Sequence, residues 1–209
     1  MEDGPPLRCP HTDDSVTSLP YWDSGAKFPC MYSGTVKTSD THDHNLFYWM
    51  IRNLDSSATP ALTIWLNGGP GSSSMFGFFL ETGPIRISKD GARNEDFDLT
   101  INPDGSWTDV SNVVFLDQPV GTGFSYGSPP VNKMQDGADE FLNFILGLYD
   151  LHPDLKDLPL YITGESYAGK YIPIFCQTIL NYNDGLSAGD FAIPLTAALI
   201  GDPFNAPVT

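Results

Sequence analysis

The ten residues Leu160-Tyr-Ile-Thr-Gly-Glu-Ser-Tyr-Ala-Gly169 decide how the rest of this 209-residue chain is read. Leu158–Thr163 is a short apolar run of the kind that forms a buried strand, and Tyr167–Tyr182 has the composition of a helix. Between them stands Ser166, with Gly164 two residues before it and Ala168 two residues after. A serine held at a sharp strand-to-helix turn needs small residues at those two places, because only they let strand and helix approach so closely. The hydroxyl then projects from the end of the strand, near the positive end of the new helix. Alone, the pattern Gly-x-Ser-x-small is weak. An apolar strand before it and a helix after it make it a nucleophile elbow, and Ser166 the candidate nucleophile.

Working outward, the same strand-then-loop design recurs twice. Ala61–Leu66 is nearly continuous in apolar residues and ends in Asn67-Gly-Gly-Pro-Gly71, and Asn112–Asp117 runs Val113-Val-Phe-Leu116 into Asp117-Gln-Pro. Gln135–Leu151 carries Ala138, Phe141, Leu142, Ile145 and Leu148 at three- and four-residue spacings, an amphipathic helix stopped by Pro153. Thr196–Gly201 is a further strand. Strand, helix, strand, helix, strand implies parallel pairing with right-handed crossovers. Gly34–Thr38 and Asn45–Arg52 alternate apolar and polar residues about the turn Ser39–His44, an antiparallel hairpin. Residues 1–30 are expected to be an irregular arm, and Lys89–Ser106 a polar loop. The fold class is therefore α/β: one domain over 1–209, with the arm at 1–30 and a mostly parallel sheet with flanking helices over 31–209.

Ten basic against 26 acidic residues give a formal charge of −16, which repels phosphate backbones and anionic lipid, so neither nucleic acid nor membrane is an expected partner. No apolar run reaches the ~20 residues of a membrane span, and Met1–Pro10 has no apolar segment of signal-peptide type. Cys9, Cys30 and Cys176 show neither Cys-x-x-Cys nor a Cys/His cluster, so no metal and no cofactor is expected. A Cys9–Cys30 bridge and two free thiols both remain open. Oligomeric state is not encoded in any visible pattern.

The loop after Ala61–Leu66 supplies the second half of a site. Acyl transfer needs N–H donors aimed at the oxygen on which charge develops, commonly one from the residue after the nucleophile and one from a Gly-rich loop after an earlier strand. Tyr167 and Gly68-Gly69 stand at those places. Taken with Glu81-Thr-Gly-Pro84 and Asp117-Gln-Pro-Val-Gly-Thr-Gly-Phe-Ser-Tyr126, the two loops resemble the serine carboxypeptidases of the α/β-hydrolase superfamily over residues 20 to 202, in the order of that family's N-terminal half.

The resemblance implies an α/β-hydrolase fold, truncated, and a role for each matching position. Ser166 matches the nucleophile, and Gly69 and Tyr167 the residues whose N–H groups form the oxyanion hole. Asn67, Gly68 and Glu165 match the groups that hold the substrate's C-terminal carboxylate, and Glu81 the acid paired with Glu165. Two carboxyls held close do not both ionise cheaply, so one keeps a proton to donate to a substrate carboxylate. The implied activity is proteolysis, the release of C-terminal residues through an acyl-enzyme, with a peptide or protein bearing a free C-terminal carboxylate as the substrate. The implied location is secreted, vacuolar or lysosomal. Two departures stand out. Ser72 occupies a place where the family commonly has a disulfide-forming Cys. The family's triad Asp and His follow the nucleophile, whereas here His11, His42, His44 and His152 all precede Ser166, and Asp202 suits a strand-end loop. The expectation is a fragment that is inactive alone; a carboxypeptidase-like acyltransferase and a non-catalytic peptide-binding protein are the alternative readings.

Overall fold

The computed structural model describes residues 9–22, 27–55, 60–89 and 97–205. Nine strands and two long helices occur among them. The strands are β1 Ser15–Val16, β2 Met31–Lys37, β3 Asn45–Ile51, β4 Leu62–Leu66, β5 Ile85–Lys89, β6 Phe97–Ile101, β7 Asn112–Leu116, β8 Leu160–Glu165 and β9 Leu195–Gly201; the helices are α1 Met134–Leu151 and α2 Ala168–Asp184. Seven strands form one sheet in the order β1-β2-β3-β7-β4-β8-β9. β7, β4, β8 and β9 run parallel, and β1, β2 and β3 join antiparallel at one side.

Side-chain alternation explains why the central strands read as unbroken apolar runs. Every residue of β4 and β7 is buried. In β4, Leu62, Ile64 and Leu66 face the helices, and in β7 Val114 and Leu116 do the same. Trp65, Val113 and Phe115 turn to the other face, where they meet Met75, Phe78 and Ile85. A strand covered on both faces has no polar side to show. The α1 stripe works as its spacing requires: Ala138, Phe141, Ile145 and Leu148 are buried against the sheet, and Phe141 stacks on Phe175 of α2 with ring centroids 4.4 Å apart. That ring pair joins the two crossover helices, and burial of each such side chain contributes about 1.5–3 kcal/mol.

Two expectations are corrected. The segment expected to be a polar loop over 89–106 contains β6, which pairs antiparallel with β5 in a separate two-stranded sheet, Ile85 opposite Ile101 and Ile87 opposite Leu99. Phe97, Leu99 and Ile101 alternate with Asp98 and Thr100, a period-two strand pattern too short to stand out from the polar residues before it. Residues 90–96 of that segment lie outside the described residues, as do 1–8 and 23–26 of the N-terminal arm. The rest of the arm is not wholly irregular, since Ser15 and Val16 pair with Tyr32 and Met31.

The arm is fastened at two further points. Cys9 and Cys30 form a disulfide, with Cα atoms 5.6 Å apart, which resolves the pairing left open by the sequence; Cys176 is free and half-buried. Asp14 accepts hydrogen bonds from Thr12 Oγ1 at 2.5 Å, from His152 Nε2 at 2.9 Å and from the Tyr48 hydroxyl. Burial opposes the charged form of Asp14, but the bonds from Thr12, Tyr48 and His152 outweigh it and hold the carboxyl below its ordinary range. A depressed carboxyl pKa adds stability that is present above the unfolded value and disappears as pH falls through the folded one. Asp14→Asn should therefore lower unfolding free energy by about 1–3 kcal/mol near pH 7 and by much less at pH 3, measured by denaturant titration at both values. Equal losses at the two pH values would show that the charge of Asp14 contributes nothing.

Candidate active site

Ser166 sits between β8 and α2 with φ +55°, a left-handed conformation that a non-glycine residue adopts only under local constraint. Its neighbours supply the constraint. The Ser166 N–H donates to Gly201 O of β9 at 3.0 Å, and its carbonyl accepts from Gly169 N–H at 3.0 Å and Phe204 N–H at 2.8 Å. A β-carbon on Gly164 would come within 2.3 Å of Leu66 O and 2.9 Å of the Ala168 side chain, so the glycine is needed for close approach. The Ser166 side chain is thereby left exposed at the C-terminal edge of the sheet.

Parallel pairing brings the second loop to the same edge. Leu66 of β4 is in register with Gly164 of β8, so Asn67-Gly68-Gly69 leaves the sheet beside Glu165-Ser166. The approach at Gly68 is so close that a β-carbon there would lie 2.7 Å from Tyr167 N and 2.8 Å from Ser166 Cβ. Neither the Gly69 N–H nor the Tyr167 N–H donates to an acceptor among the described residues. Free backbone donors near an exposed serine hydroxyl would suit the stabilisation of an oxyanion. Asn67, Gly68, Gly69, Ser72, Ser73, Phe76, Glu165 and Ser166 line one cleft of about 470 Å³.

Asn67 organises the acidic side of this cleft. Its carbonyl Oδ1 accepts from Trp65 Nε1 at 2.8 Å and Gly77 N–H at 3.0 Å, which fixes the amide with its NH2 outward. That NH2 donates to Glu165 Oε1 at 3.0 Å and to Glu81 Oε2 at 3.2 Å. The two acids are thus gathered around one amide. Glu81 ends a π-helical turn, Gly77–Glu81, and is half-buried. Burial is the main cause raising its pKa, with the charge of Glu165 adding to it; the Asn67 hydrogen bond and the charge of Arg86 oppose. Arg86 also donates to the carbonyls of Glu81 and Gly83, holding the turn that presents the acid.

Asp117, fully buried, is a residue whose motif the sequence displays without disclosing its task. It accepts from Ser73 Oγ at 2.7 Å, Ser74 N–H at 2.8 Å and Phe124 N–H at 3.0 Å, so it ties the loop after β4 to the loop after β7. Burial nevertheless pushes its pKa up against those bonds. Tyr171 is a second such residue: one turn into α2, it donates its hydroxyl to the carbonyls of Asn67 and Gly68. Its i+4 spacing from Tyr167 marks a shared helix face, but no local pattern names the carbonyls it reaches. None of the four histidines lines the cleft. His44 pairs with Glu140, and His152 with Asp14.

A parallel sheet with a strained serine at a strand-to-helix turn, facing a glycine loop from the adjacent strand, defines an α/β-hydrolase. A hydrolase of 2-hydroxy-6-oxo-6-phenylhexa-2,4-dienoate from a Rhodococcus strain shares the fold at a TM-score of 0.50 with 14% identity, covering 85% of this chain and 48% of that one. The chain belongs to the serine carboxypeptidase family, whose sequence profile matches residues 23–209. It is 38% identical over 185 residues to the pheromone-processing carboxypeptidase of Ogataea parapolymorpha, covering 86% of this chain and 28% of that protein. Serine carboxypeptidase S10 family member 2 of Dictyostelium discoideum is 38% identical over 203 residues, covering 94% and 35%. The crystal structure of a prohormone-processing carboxypeptidase from Saccharomyces cerevisiae superposes with a TM-score of 0.74 at 34% identity, covering 84% of this chain and 39% of that one. The chain thus spans about a third of the length of these curated relatives.

The Asn67 arrangement makes a direct prediction. Asn67→Asp replaces the shared donor with a third carboxylate, so it should destabilise the protein by about 2–4 kcal/mol at pH 7, and less at pH 4 where protonation restores a donor. Thermal unfolding at the two pH values measures this. Equal losses at both would mean that the NH2 does not hold Glu81 and Glu165 together.

Proposed function

We propose that this protein is a serine carboxypeptidase in activity as well as in family, releasing C-terminal residues from peptides through an acyl-enzyme on Ser166. The observation that carries the reading is the Asn67 amide bridging Glu81 and Glu165, one residue from the exposed serine. A hydrolase acting on esters or internal peptide bonds has no use for a carboxyl pair at that place. A C-terminal carboxylate does, because a carboxylic acid held protonated donates a hydrogen bond to it. Asn67, Gly68, Glu165 and Glu81 then bind the substrate's terminus. Ser166 Oγ attacks the last peptide carbonyl, its oxygen takes the charge against the Gly69 and Tyr167 N–H groups, and the C–N bond breaks as the terminal amino acid leaves with a proton. Water then hydrolyses the ester.

The substrate class in this reading is a peptide or protein with a free C-terminal carboxylate. The Cys9–Cys30 disulfide supports a secreted, vacuolar or lysosomal setting, where thiols stay oxidised. Serine attack also needs a base. With His44 and His152 committed elsewhere and no histidine lining the cleft, none of the described histidines is placed to act as that base. Alone, the chain should turn over C-terminal peptides about 10²–10⁴-fold more slowly than a complete site. A rate matching that of intact relatives, lost in Ser166→Ala, would reveal a base among these residues and overturn this part of the reading. Peptide binding without turnover, in the full-length protein, would instead favour a non-catalytic receptor.

The raised pKa of Glu81 sets a pH dependence. Below it the acid is protonated and donates to the substrate carboxylate; as pH rises through it the donor is lost and a repelling charge appears. In the full-length protein, KM for free-acid peptides should climb as pH rises above the ordinary glutamate range, while amidated peptides show no such trend. Glu81→Gln, a donor at every pH, should flatten the profile. A parallel rise for acid and amide substrates would remove Glu81 from the carboxylate site.

A further inference from the structure

The Gly68–Gly69 peptide carries the most demanding geometric requirement of the site and the least intrinsic stiffness. Gly69 has φ +111°, and a glycine pair samples orientations closed to other residues. Something must select one of them. In a planar trans peptide the carbonyl of Gly68 and the N–H of Gly69 point in opposite directions, so whatever holds the carbonyl aims the N–H. The Gly68 carbonyl accepts from the Tyr171 hydroxyl at 3.2 Å and from Ser72 N–H at 3.2 Å. The same hydroxyl lies closer still to the Asn67 carbonyl, whose peptide includes the Gly68 N–H. One hydroxyl hydrogen is therefore shared between two successive peptide units.

We infer that Tyr171 is a positioning residue for catalysis, the group that aims the Gly69 N–H into the Ser166 cleft by holding the Asn67 and Gly68 carbonyls. The inference rests on the carboxypeptidase reading, in which that N–H is an oxyanion donor. Tyr171 is suited to the task. It stands on α2, the helix that begins at the nucleophile, so the serine and the oxyanion loop are referred to one rigid element. Its ring is 3% exposed and packs between Tyr167 and Phe175, with centroids at 5.8 and 5.6 Å. Burial, the largest influence, pushes the phenol above its ordinary pKa, so it remains a donor throughout the range in which proteins work.

The test is Tyr171→Phe in the full-length protein, with Ser166→Ala and Tyr149→Phe alongside. Phe keeps the ring and its packing and removes only the hydroxyl. Tyr149 is also fully buried, and its hydroxyl has no hydrogen-bond partner among the described residues, so it controls for loss of a buried hydroxyl as such. Removal of an oxyanion donor costs about 10²–10³ in kcat, and misaiming one should cost about 10–100-fold. Tyr171→Phe should therefore lower kcat by about that factor while KM for a free-acid peptide rises by less, since the Gly68 N–H is released with its peptide but Glu81, Glu165 and the Asn67 side chain keep their contacts. Tyr149→Phe should leave both unchanged. In the 15N-labelled protein, the Gly68 and Gly69 amide resonances should shift and exchange faster in Tyr171→Phe, with those of β8 unaltered. A kcat within about twofold of wild type, or equal losses in both tyrosine variants, would overturn the inference while Ser166→Ala remained inactive. Wild-type turnover by Ser166→Ala would instead sink the carboxypeptidase reading, and the Gly68 and Gly69 amides would still report whether the hydroxyl holds the loop.

Discussion

The parallel pairing of β4 with β8 is the constraint on which the site depends. With Leu66 opposite Gly164, two chain segments almost a hundred residues apart end at the same height on one sheet edge. Each then turns away in a conformation imposed by the need to clear the other. Gly68 lies against the backbone of the elbow, and Gly164 against both the Leu66 carbonyl of the partner strand and the Ala168 side chain of its own turn. A slip of one residue in this register would carry Asn67 away from Glu165 and reverse the face that Trp65 presents. The burial of β4 on both faces opposes such a slip, because it would place Thr63 and Trp65 among the aliphatic side chains under the helices.

Around that edge the polar groups form a closed account. Asn67 is 3% exposed, and every hydrogen-bonding atom of its side chain has a partner. Asp117 performs the same service one layer deeper, binding the loop after β4 through Ser73 and Ser74. Buried networks of this kind add little net stability per bond, yet leaving any one member unpaired is costly, and so they select a single geometry. Among the described residues, the Gly69 and Tyr167 N–H groups donate to no acceptor.

Much of this was readable along the chain. The nucleophile elbow is local, because the turn's steric demand is met within five residues. The α1 stripe and the paired strands about Ser39–His44 also follow from short-range periodicity. Other parts were not. The alternation of Phe97, Leu99 and Ile101 is too short to stand out from the polar residues before it, and pairing with Ile85–Lys89 completes the strand. Glu81 looks in sequence like a solvated acid at the end of a turn. Its meaning comes from Asn67, fourteen residues earlier, which presents one amide to both Glu81 and Glu165. Tyr171 and Asp117 carry no local sign of their roles, since their partners lie on other loops.

By itself, the sequence determined the fold class, the position of Ser166 on its turn and the family to which the chain belongs. Those properties rest on steric rules that act over a few residues and on motifs whose order survives without coordinates. Tertiary structure alone decided that Cys9 pairs with Cys30, that Asn67 stands between the two acids, and that His44 and His152 are engaged far from the cleft. The physical reason is the same in each case. Hydrogen bonds and ion pairs depend on distances of about 3 Å between groups remote in sequence, and only the register of a packed sheet brings such groups within that range.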